Sequence, residues 1–212
     1  MNSTRTTTAT PLPHHIANPF ATRHVRPGEI APLTATAARR DVSALRAEIE
    51  AAGGNAEIVG PHGTGKSTLL AALAADLATE NRLAGRVQIR SSRDLVAVLR
   101  LVRRARRGAT ACLDGWDRLG WAARTGVRIL ARLVGCRLMV TSHRPAGLDV
   151  SVPTAASRPL LEAIVAELPD HGGLIQPADI ADAYARHGGN LRESLADLYD
   201  RFEHRARQPR RS

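Results

Sequence analysis

The sequence predicts an α/β protein, a three-layer α/β/α fold on a parallel sheet, followed by a small helical lid at the C-terminus. Short apolar segments alternate with segments of helical periodicity between residues 36 and 154, which is typical of a parallel sheet covered on both faces. A glycine-rich segment joins the first strand to a helix, and the region after residue 158 has helical patterns only. A chain of 212 residues with 43% apolar residues is long enough for one such domain with a small appendage.

Composition divides the chain into four predicted regions. Residues 1–18 are rich in Thr and Pro and are expected to be disordered. Residues 19–158 are expected to form the α/β core, which opens with a leader whose turns lie at Pro and Gly residues. Residues 159–207 are expected to form the lid-like helical subdomain, and residues 208–212 a basic tail.

Each element of the core and the lid is predicted from its periodicity. The predicted helices cover residues 36–52, 68–77, 93–107, 125–134, 159–168, 177–187 and 191–206. The predicted strands cover residues 55–59, 87–90, 110–113, 137–140 and, less regularly, 150–154. Gly53 and Gly54 provide a C-cap for the first helix, and Pro177 fits a first helical position.

The segment between the first strand and its helix reads GPHGTGKST and fits the phosphate-loop pattern G-x-x-x-x-G-K-[ST]. Its lysine is the only one in the chain, since the other 29 of the 30 basic residues are arginines. Backbone N–H groups of such a loop converge on phosphates, and the helix behind it adds partial positive charge. The sequence therefore predicts that a nucleoside triphosphate binds to nine consecutive residues: Gly60, Pro61, His62, Gly63, Thr64, Gly65, Lys66, Ser67 and Thr68.

Two carboxylates follow the third strand, in the segment CLDGWDRL. Asp114 stands at the strand's end, where the carboxyl edge of a parallel sheet faces the phosphate loop. It is expected to hold Mg²⁺ through water, with the Ser67 hydroxyl as the second oxygen ligand. Asp117 is the candidate to orient or deprotonate the attacking water. The alternative for Asp117 is that it caps the following helix.

Polar residues also end the next strand, which reads VTSHRP from Val140 to Pro145. Thr141 and Arg144 are expected to sense a γ-phosphate at this edge. For His143, such a role and ordinary turn chemistry before a proline stay open.

These motifs resemble those of the STAND and AAA+ branches of P-loop ATPases. The segment from Asp114 to Asp117 is similar to the second motif of the NACHT group, and the VTSHRP strand end to its T-S-R-P motif with His143 inserted. That group has a further acid just after the position of Asp117, where this chain has Arg118. The resemblance implies ATP and Mg²⁺ as cofactors. It also implies a possible homo-oligomer, because such ATPases often form rings.

The C-terminal segment HGGNLRE resembles the start of a lid helix in AAA+ proteins. The resemblance implies that Arg192 approaches the γ-phosphate and couples nucleotide state to lid position. Gly188 as a helix end, and Asn190 with Glu193 as a capping box, explain the rest of the segment. The leader Asn18–Gly28, the loop and this segment together resemble a group of short bacterial P-loop ATPases.

Three functions fit these residues. The favoured one is a slow, Mg-dependent ATPase that acts as a nucleotide-controlled switch and passes its output to an unknown protein partner. A small-molecule kinase is the second, with Arg90 and Arg93 as acceptor-site candidates. The third is a nucleic-acid-associated ATPase that uses the arginine clusters at 103–107 and 201–211. ATP is favoured over GTP, because a second lysine for the guanine-reading N-K-x-D motif is absent.

Composition also limits the partners and the location that the sequence predicts for the protein. The net charge of +10 fits a nucleic-acid surface, but neither arginine cluster is interleaved with aromatic residues, so nucleic acid is not favoured. No apolar run approaches the length of a membrane span, and no membrane contact is expected. Cys112 and Cys136, the only cysteines, lie in apolar segments, so buried reduced thiols in a cytoplasmic protein are expected.

Overall fold

The structure is a computed structural model that describes residues 17–25 and 30–207. The predicted basic tail at 208–212, almost all of the predicted disordered tail, and the end of the leader at Arg26–Gly28 lie outside the described residues.

Five parallel strands form one sheet, in the spatial order β2-β3-β4-β1-β5. The strands are β1 (Ala56–Val59), β2 (Leu83–Gln88), β3 (Thr110–Asp114), β4 (Arg137–Ser142) and β5 (Val150–Pro153). The helices are α1 (Thr22–Val25), α2 (Val42–Ala51), α3 (Lys66–Thr79), α4 (Leu95–Arg104), α5 (Trp121–Val134), α6 (Arg158–Glu167), α7 (Pro177–Arg186) and α8 (Leu191–Arg207). The predicted α/β class with a parallel sheet is confirmed.

The central strands divide their side chains between two apolar cores. On β3, Leu113 packs in the core formed with α4 and α5, whereas its neighbour Cys112 packs in the core formed with α2 and α3. Val140 and Met139 divide in the same way on β4. Because successive side chains of a strand point to opposite faces, this division gives the three layers.

Both cysteines are free and buried, as the sequence predicts. Burial raises the pKa of the Cys112 thiol to about 12. The thiol therefore stays protonated and packs as a small apolar side chain.

A third apolar core lies within the C-terminal helices and includes one residue of the leader. Leu161 of α6, Ala183 of α7 and Leu198 of α8 are fully buried in it. Phe20 joins them, with its ring centroid 6.4 Å from that of Phe202. The leader therefore completes the core of the C-terminal helices.

The predicted position of β2 is wrong by four residues at its start and two at its end. The strand covers Leu83–Gln88 rather than 87–90, and its pairing with β3 shifts register between Leu83 and Gly85. Gly85 and the charged Arg86 break the apolar pattern of this edge strand. The strand ends before Arg90 because the backbone N–H of that residue donates to Asp94 Oδ2 at 2.7 Å, which opens a turn.

Two helix starts differ from the prediction by four residues or more. The helix α2 begins at Val42, because Asp41 caps it by accepting a hydrogen bond from Ala44 N at 2.9 Å. The preceding residues form a turn closed by an antiparallel bridge instead of a helix. The helix α5 begins at Trp121 and not near residue 125.

Within residues 17–25 and 30–207, no helix combines the length and the apolar character that crossing a lipid bilayer demands.

Candidate functional site

The glycine-rich loop connects β1 to α3 at the carboxyl edge of the sheet. Gly65, with φ of 82°, ends the loop in a left-handed conformation, and α3 begins at the next residue. The Lys66 side chain folds back over the loop, and its Nζ donates to Gly60 O at 2.7 Å and to Pro61 O at 2.5 Å. The lysine cation is thus held against two backbone carbonyls of the loop, at the N-terminus of a helix.

Three elements meet at Asp114. The Ser67 hydroxyl of α3 donates to Asp114 Oδ1 at 3.0 Å, and the Thr141 hydroxyl of β4 donates to the same oxygen at 2.6 Å. Thr141 Oγ1 also accepts a hydrogen bond from Gly115 N at 2.8 Å. The structure therefore brings three sequence-predicted residues, Ser67, Asp114 and Thr141, into direct contact.

This donor set fits Mg²⁺. A hydroxyl and a carboxylate are hard oxygen ligands, and Mg²⁺ usually binds one or two such groups together with water and substrate phosphates. Among the described residues, no group of three or more His, Cys, Asp or Glu side chains could hold a metal ion. Ser67 and Asp114 would supply two oxygen ligands and leave other coordination positions to water and phosphate.

Asp117 lies in the turn after β3, and polar groups at the end of β4 surround it. Both the Ser142 hydroxyl and the His143 ring Nδ1 make short hydrogen bonds to its carboxylate. The backbone N–H of His143 donates to Asp117 Oδ1 at 3.0 Å. Burial alone would raise the pKa of Asp117, but these hydrogen bonds outweigh it and hold the pKa below its usual value.

The helix-capping alternative for Asp117 is not observed. The residue that precedes α5 is Gly120, and no side chain caps that helix. The carboxylate of Asp117 points instead to β4.

The His143 ring connects Asp117 to the phosphate loop. Its Nε2 lies 3.1 Å from Nδ1 of His62, the third residue of the loop, and the two ring centroids are 3.9 Å apart. The charge that His143 can carry is the largest cause that lowers the pKa of His62, followed by burial. The two rings therefore do not readily carry a proton each.

Charge near Lys66 is balanced by the two carboxylates. Burial lowers the pKa of Lys66, and the negative charges of Asp117 and Asp114 oppose this shift. The two carboxylates therefore favour the charged ammonium group, against the effect of burial.

A cavity of about 1030 Å³ opens over the loop. Its walls come from the leader, the phosphate loop, the carboxyl ends of β2 to β4, and the helices α6 and α8. The predicted residues that line it include His62, Lys66, Ser67, Asp114, Thr141 and Arg192. Sequence reasoning missed three polar residues at the ends of β2 and β3 that also line it: Arg86, Gln88 and Arg118. Arg86 Nη2 lies 3.7 Å from Asp114 Oδ2.

The N-terminus of α8 touches the phosphate loop. A Cβ atom added to Gly63, whose φ is 72°, would come within 2.0 Å of Asn190 Oδ1. That oxygen accepts hydrogen bonds from Arg192 N at 3.2 Å and Glu193 N at 3.4 Å. Only a glycine allows this approach, which places Arg192 beside the loop.

The other predicted residues lie away from the cavity. Arg144 is exposed and is not among the residues that line the cavity, although its backbone N–H donates to Ser142 Oγ at 3.4 Å. Its assignment as a γ-phosphate sensor stays a prediction. Arg90 and Arg93, the acceptor candidates of the kinase alternative, do not line the cavity either.

The two arginine clusters differ in their surroundings. Arg201, Arg205 and Arg207 form ion pairs with carboxylates of α7 and α8. The arginines of the 103–107 cluster form no ion pair with a carboxylate in the part of the chain that the structure describes. The 103–107 cluster therefore leaves its charges available.

Together, the parallel sheet, the glycine loop and the acidic strand end define a P-loop α/β fold. The solved structures with the same fold include RuvB from Thermotoga maritima, described as a Holliday junction branch migration motor. The identity to RuvB is 17%, with a TM-score of 0.51 over 75% of this chain and 58% of RuvB. The chain thus spans little more than half the length of that protein.

Two further structures are similar to the chain. A single-residue variant of the same RuvB has 16% identity and a TM-score of 0.53 over 75% of this chain and 58% of the variant. C. elegans PCH-2 has 12% identity and a TM-score of 0.41 over 79% of this chain and 68% of PCH-2. No protein-family model matches the chain, and no curated protein matches it.

Proposed function

We propose that this protein binds ATP with Mg²⁺ and acts as a slow ATPase whose nucleotide state sets the position of the C-terminal helices. The observation that carries this proposal is a cavity lined by both the phosphate loop and the helix α8. A triphosphate in that cavity would contact the core and the lid at once. A switch requires such contacts to differ between its two nucleotide states.

The loop residues 60–68 would hold the phosphates, with Lys66 reaching the β- and γ-phosphates. Ser67 would coordinate Mg²⁺ directly and Asp114 would hold it through water. When bound, the ion would neutralise charge on the phosphate oxygens. Thr141 would orient Asp114, and Arg192 would contact the γ-phosphate from the lid.

The cavity also has apolar lining residues that suit a flat, apolar base. Pro32 and Leu33 of the segment after the leader, Leu160 and Ile164 of α6, and Leu195 of α8 line it. An adenine ring between these surfaces would tie the core to the lid. The core would then extend over residues 19–158, and the lid over residues 159–207.

The test of this proposal is calorimetric titration with Mg-ATP. We expect wild-type protein to bind Mg-ATP and Lys66→Ala to bind roughly 10- to 100-fold more weakly, because charge-assisted hydrogen bonds contribute about 1.5–3 kcal/mol. Arg103→Ala, which removes an exposed cation of α4, is the matched control and should bind like wild type. Absence of Mg-ATP binding by wild-type protein would contradict the proposal.

The switch itself is tested by hydrogen exchange. Amides of α8 should be more protected with a non-hydrolysable ATP analogue than with ADP, because only the triphosphate can contact Arg192. Equal protection of the α8 amides with the ATP analogue and with ADP would contradict the switch, while nucleotide binding would stand.

The nucleic-acid alternative is supported by one observation. The 103–107 arginines lie free of carboxylate partners among the described residues, and such cations can bind a phosphate backbone. ATP turnover with and without DNA or RNA, at several salt concentrations, separates this alternative from an ATPase whose partner is a protein or a second copy of the chain. We propose a cytoplasmic location for the protein under both hypotheses.

A further inference from the structure

We infer that His143, oriented by Asp117, is the catalytic base that accepts the proton of the attacking water. This inference rests on the proposed ATPase function and assigns a residue to its chemical step. It follows from the contacts of three side chains: His143 directly after β4, Asp117 in the turn after β3, and His62 in the phosphate loop.

Asp117 itself is poorly suited to take the proton. Three hydrogen bonds already end on its two oxygens, from the Ser142 hydroxyl, the His143 backbone and the His143 ring. Such hydrogen bonds stabilise the ionised carboxylate and weaken it as a base. Asp117 is therefore a positioning residue, and it acts through the ring that it holds.

The ring of His143 is placed to act as the base. Since Asp117 is ionised, the Nδ1 atom that contacts it carries the proton, and Nε2 of the neutral ring keeps its lone pair. His143 lines the same cavity as Lys66 and Ser67. A carboxylate that fixes the tautomer of a histidine and stabilises the imidazolium formed is a recurrent device in enzymes.

His62 occupies the position in front of this lone pair. Its Nδ1 lies 3.1 Å from His143 Nε2, so a neutral His62 donates its proton there. Because His62 belongs to the phosphate loop, rearrangement of the loop around phosphates would move its ring and let water take the same position. The base would then be exposed only when the loop holds nucleotide.

The proposed step balances as follows. The water oxygen forms a bond to the γ-phosphorus, and the bond from that phosphorus to the β–γ bridging oxygen breaks. The bond's electron pair leaves with ADP, and the water proton moves to His143 Nε2. The imidazolium, stabilised by Asp117, later returns the proton to solvent.

Charged and titratable groups surround the His143 ring. Asp117 contacts it directly, His62 faces it, and Lys66 and Arg118 line the same cavity. Arg192 lines the same cavity from the lid. A protonated ring has no lone pair at Nε2, so the rate should fall on the acidic side of the pH profile.

The test compares turnover with binding. His143→Asn keeps a donor for Asp117 near the Nδ1 position but has no lone pair at Nε2. We expect its kcat for ATP hydrolysis to fall by about 100-fold or more, while the Kd for Mg-ATP changes by less than about threefold. The remaining rate should also lose the acidic fall of the pH profile. His204→Gln, at an exposed position on α8, is the control that should keep the wild-type profile.

Each outcome decides the inference. A kcat within about twofold of wild type, or an unchanged acidic limb, would overturn it while the ATPase function stands. Wild-type protein that binds Mg-ATP without hydrolysing it would also overturn the assignment, and protein that does not bind Mg-ATP would remove its basis. If His143→Asn does not fold, as shown by its thermal unfolding, His143→Gln is measured against the same criteria.

Discussion

Thr141 connects the two strands that build the candidate metal site. Its hydroxyl donates to Asp114 Oδ1 at 2.6 Å and accepts from Gly115 N at 2.8 Å, and the residue is almost fully buried. The Gly115 N–H thus holds the Thr141 hydroxyl in place, and that hydroxyl fixes the orientation of the Asp114 carboxylate. A threonine at this strand end has a structural reason that is independent of any contact with phosphate.

The first residue-scale prediction concerns this hydroxyl. Thr141→Val keeps the shape but leaves the Gly115 N–H without its acceptor, so we expect a loss of about 1–3 kcal/mol in the free energy of unfolding. The Mg²⁺ requirement for ATP binding should also rise, since Asp114 loses its orientation. Denaturant unfolding and Mg²⁺ titrations at fixed ATP measure the two effects.

Thr79→Val is the matched control, because Thr79 lies exposed at the end of α3 and its hydroxyl donates only to a local carbonyl, Asp76 O. It should change stability by less than about 0.5 kcal/mol. Equal stability of Thr141→Val and Thr79→Val would show that the buried hydroxyl does not hold Asp114.

At the scale of elements, a carboxylate joins the two last helices. Asp179 of α7 accepts hydrogen bonds from Arg205 Nη2 at 2.7 Å and from Arg201 Nη1 at 3.4 Å, both on α8. The hydrogen bonds from Arg205 are the main cause that lowers the pKa of Asp179 to about 2, against burial, which raises it. The lid is therefore held together by charge as well as by its apolar core.

The pH dependence of this contact has a definite sign. A carboxyl group whose pKa is lower in the folded state stabilises the fold above its unfolded pKa of about 3.9, and this contribution is lost as the pH falls towards 2. Asp179→Asn keeps an oxygen that can accept the hydrogen bond from Gln176 N at the start of α7 but removes the charge, so it should lower stability by roughly 1–2 kcal/mol at pH 7. The difference from wild type should shrink between pH 4 and 2, as measured by thermal unfolding.

An exposed acid provides the comparison for Asp179. Glu48→Gln removes one carboxylate from the surface of α2, and its stability relative to wild type should be nearly independent of pH. A constant deficit of Asp179→Asn from pH 7 to pH 2 would contradict an electrostatic role for the contact.

Elements with a strong local signal could be predicted from the sequence. The phosphate loop is specified by nine consecutive residues, and the core strands β3 and β4 are continuous apolar runs that are buried on both faces. The edge strand β2 could not be placed, because a half-exposed strand with a glycine bulge has neither an apolar run nor a clean alternation.

Contacts between distant residues account for the rest of what the sequence did not reveal. The pairing of Asp117 with His143 joins residues 26 positions apart, and it depends on the register that places the ends of β3 and β4 side by side. The contact of the leader with α8 joins residues 181 positions apart. No local pattern encodes either pairing, although an aspartate and a histidine that each follow a core strand could have suggested the first.

At the scale of the whole molecule, the leader contacts the helix α8, and residues of both line the cavity. Asn18 Nδ2 donates to Tyr199 O at 3.1 Å and to Glu203 Oε1 at 3.0 Å, both on α8. Phe20 is buried against Phe202 and also lines the cavity. The position of α8 therefore depends on the leader as well as on the phosphate loop.

This arrangement predicts that the leader controls nucleotide affinity through α8. Phe20→Ala should destabilise the C-terminal helices by about 3–5 kcal/mol, lower the exchange protection of α8, and weaken Mg-ATP binding. Because Phe20 itself lines the cavity, the informative partner variant is Phe202→Ala, whose side chain is buried in the helical core and is not among the cavity-lining residues.

Weaker binding by both variants would show that affinity depends on how α8 is held, since only one of the two side chains faces the cavity. Val96→Ala, which removes an exposed apolar group of α4, should leave both exchange and affinity unchanged. If Phe202→Ala lowers the protection of α8 but binds Mg-ATP like wild type, the helix does not contribute to nucleotide binding. The link from leader to lid would then stabilise the fold without taking part in the switch.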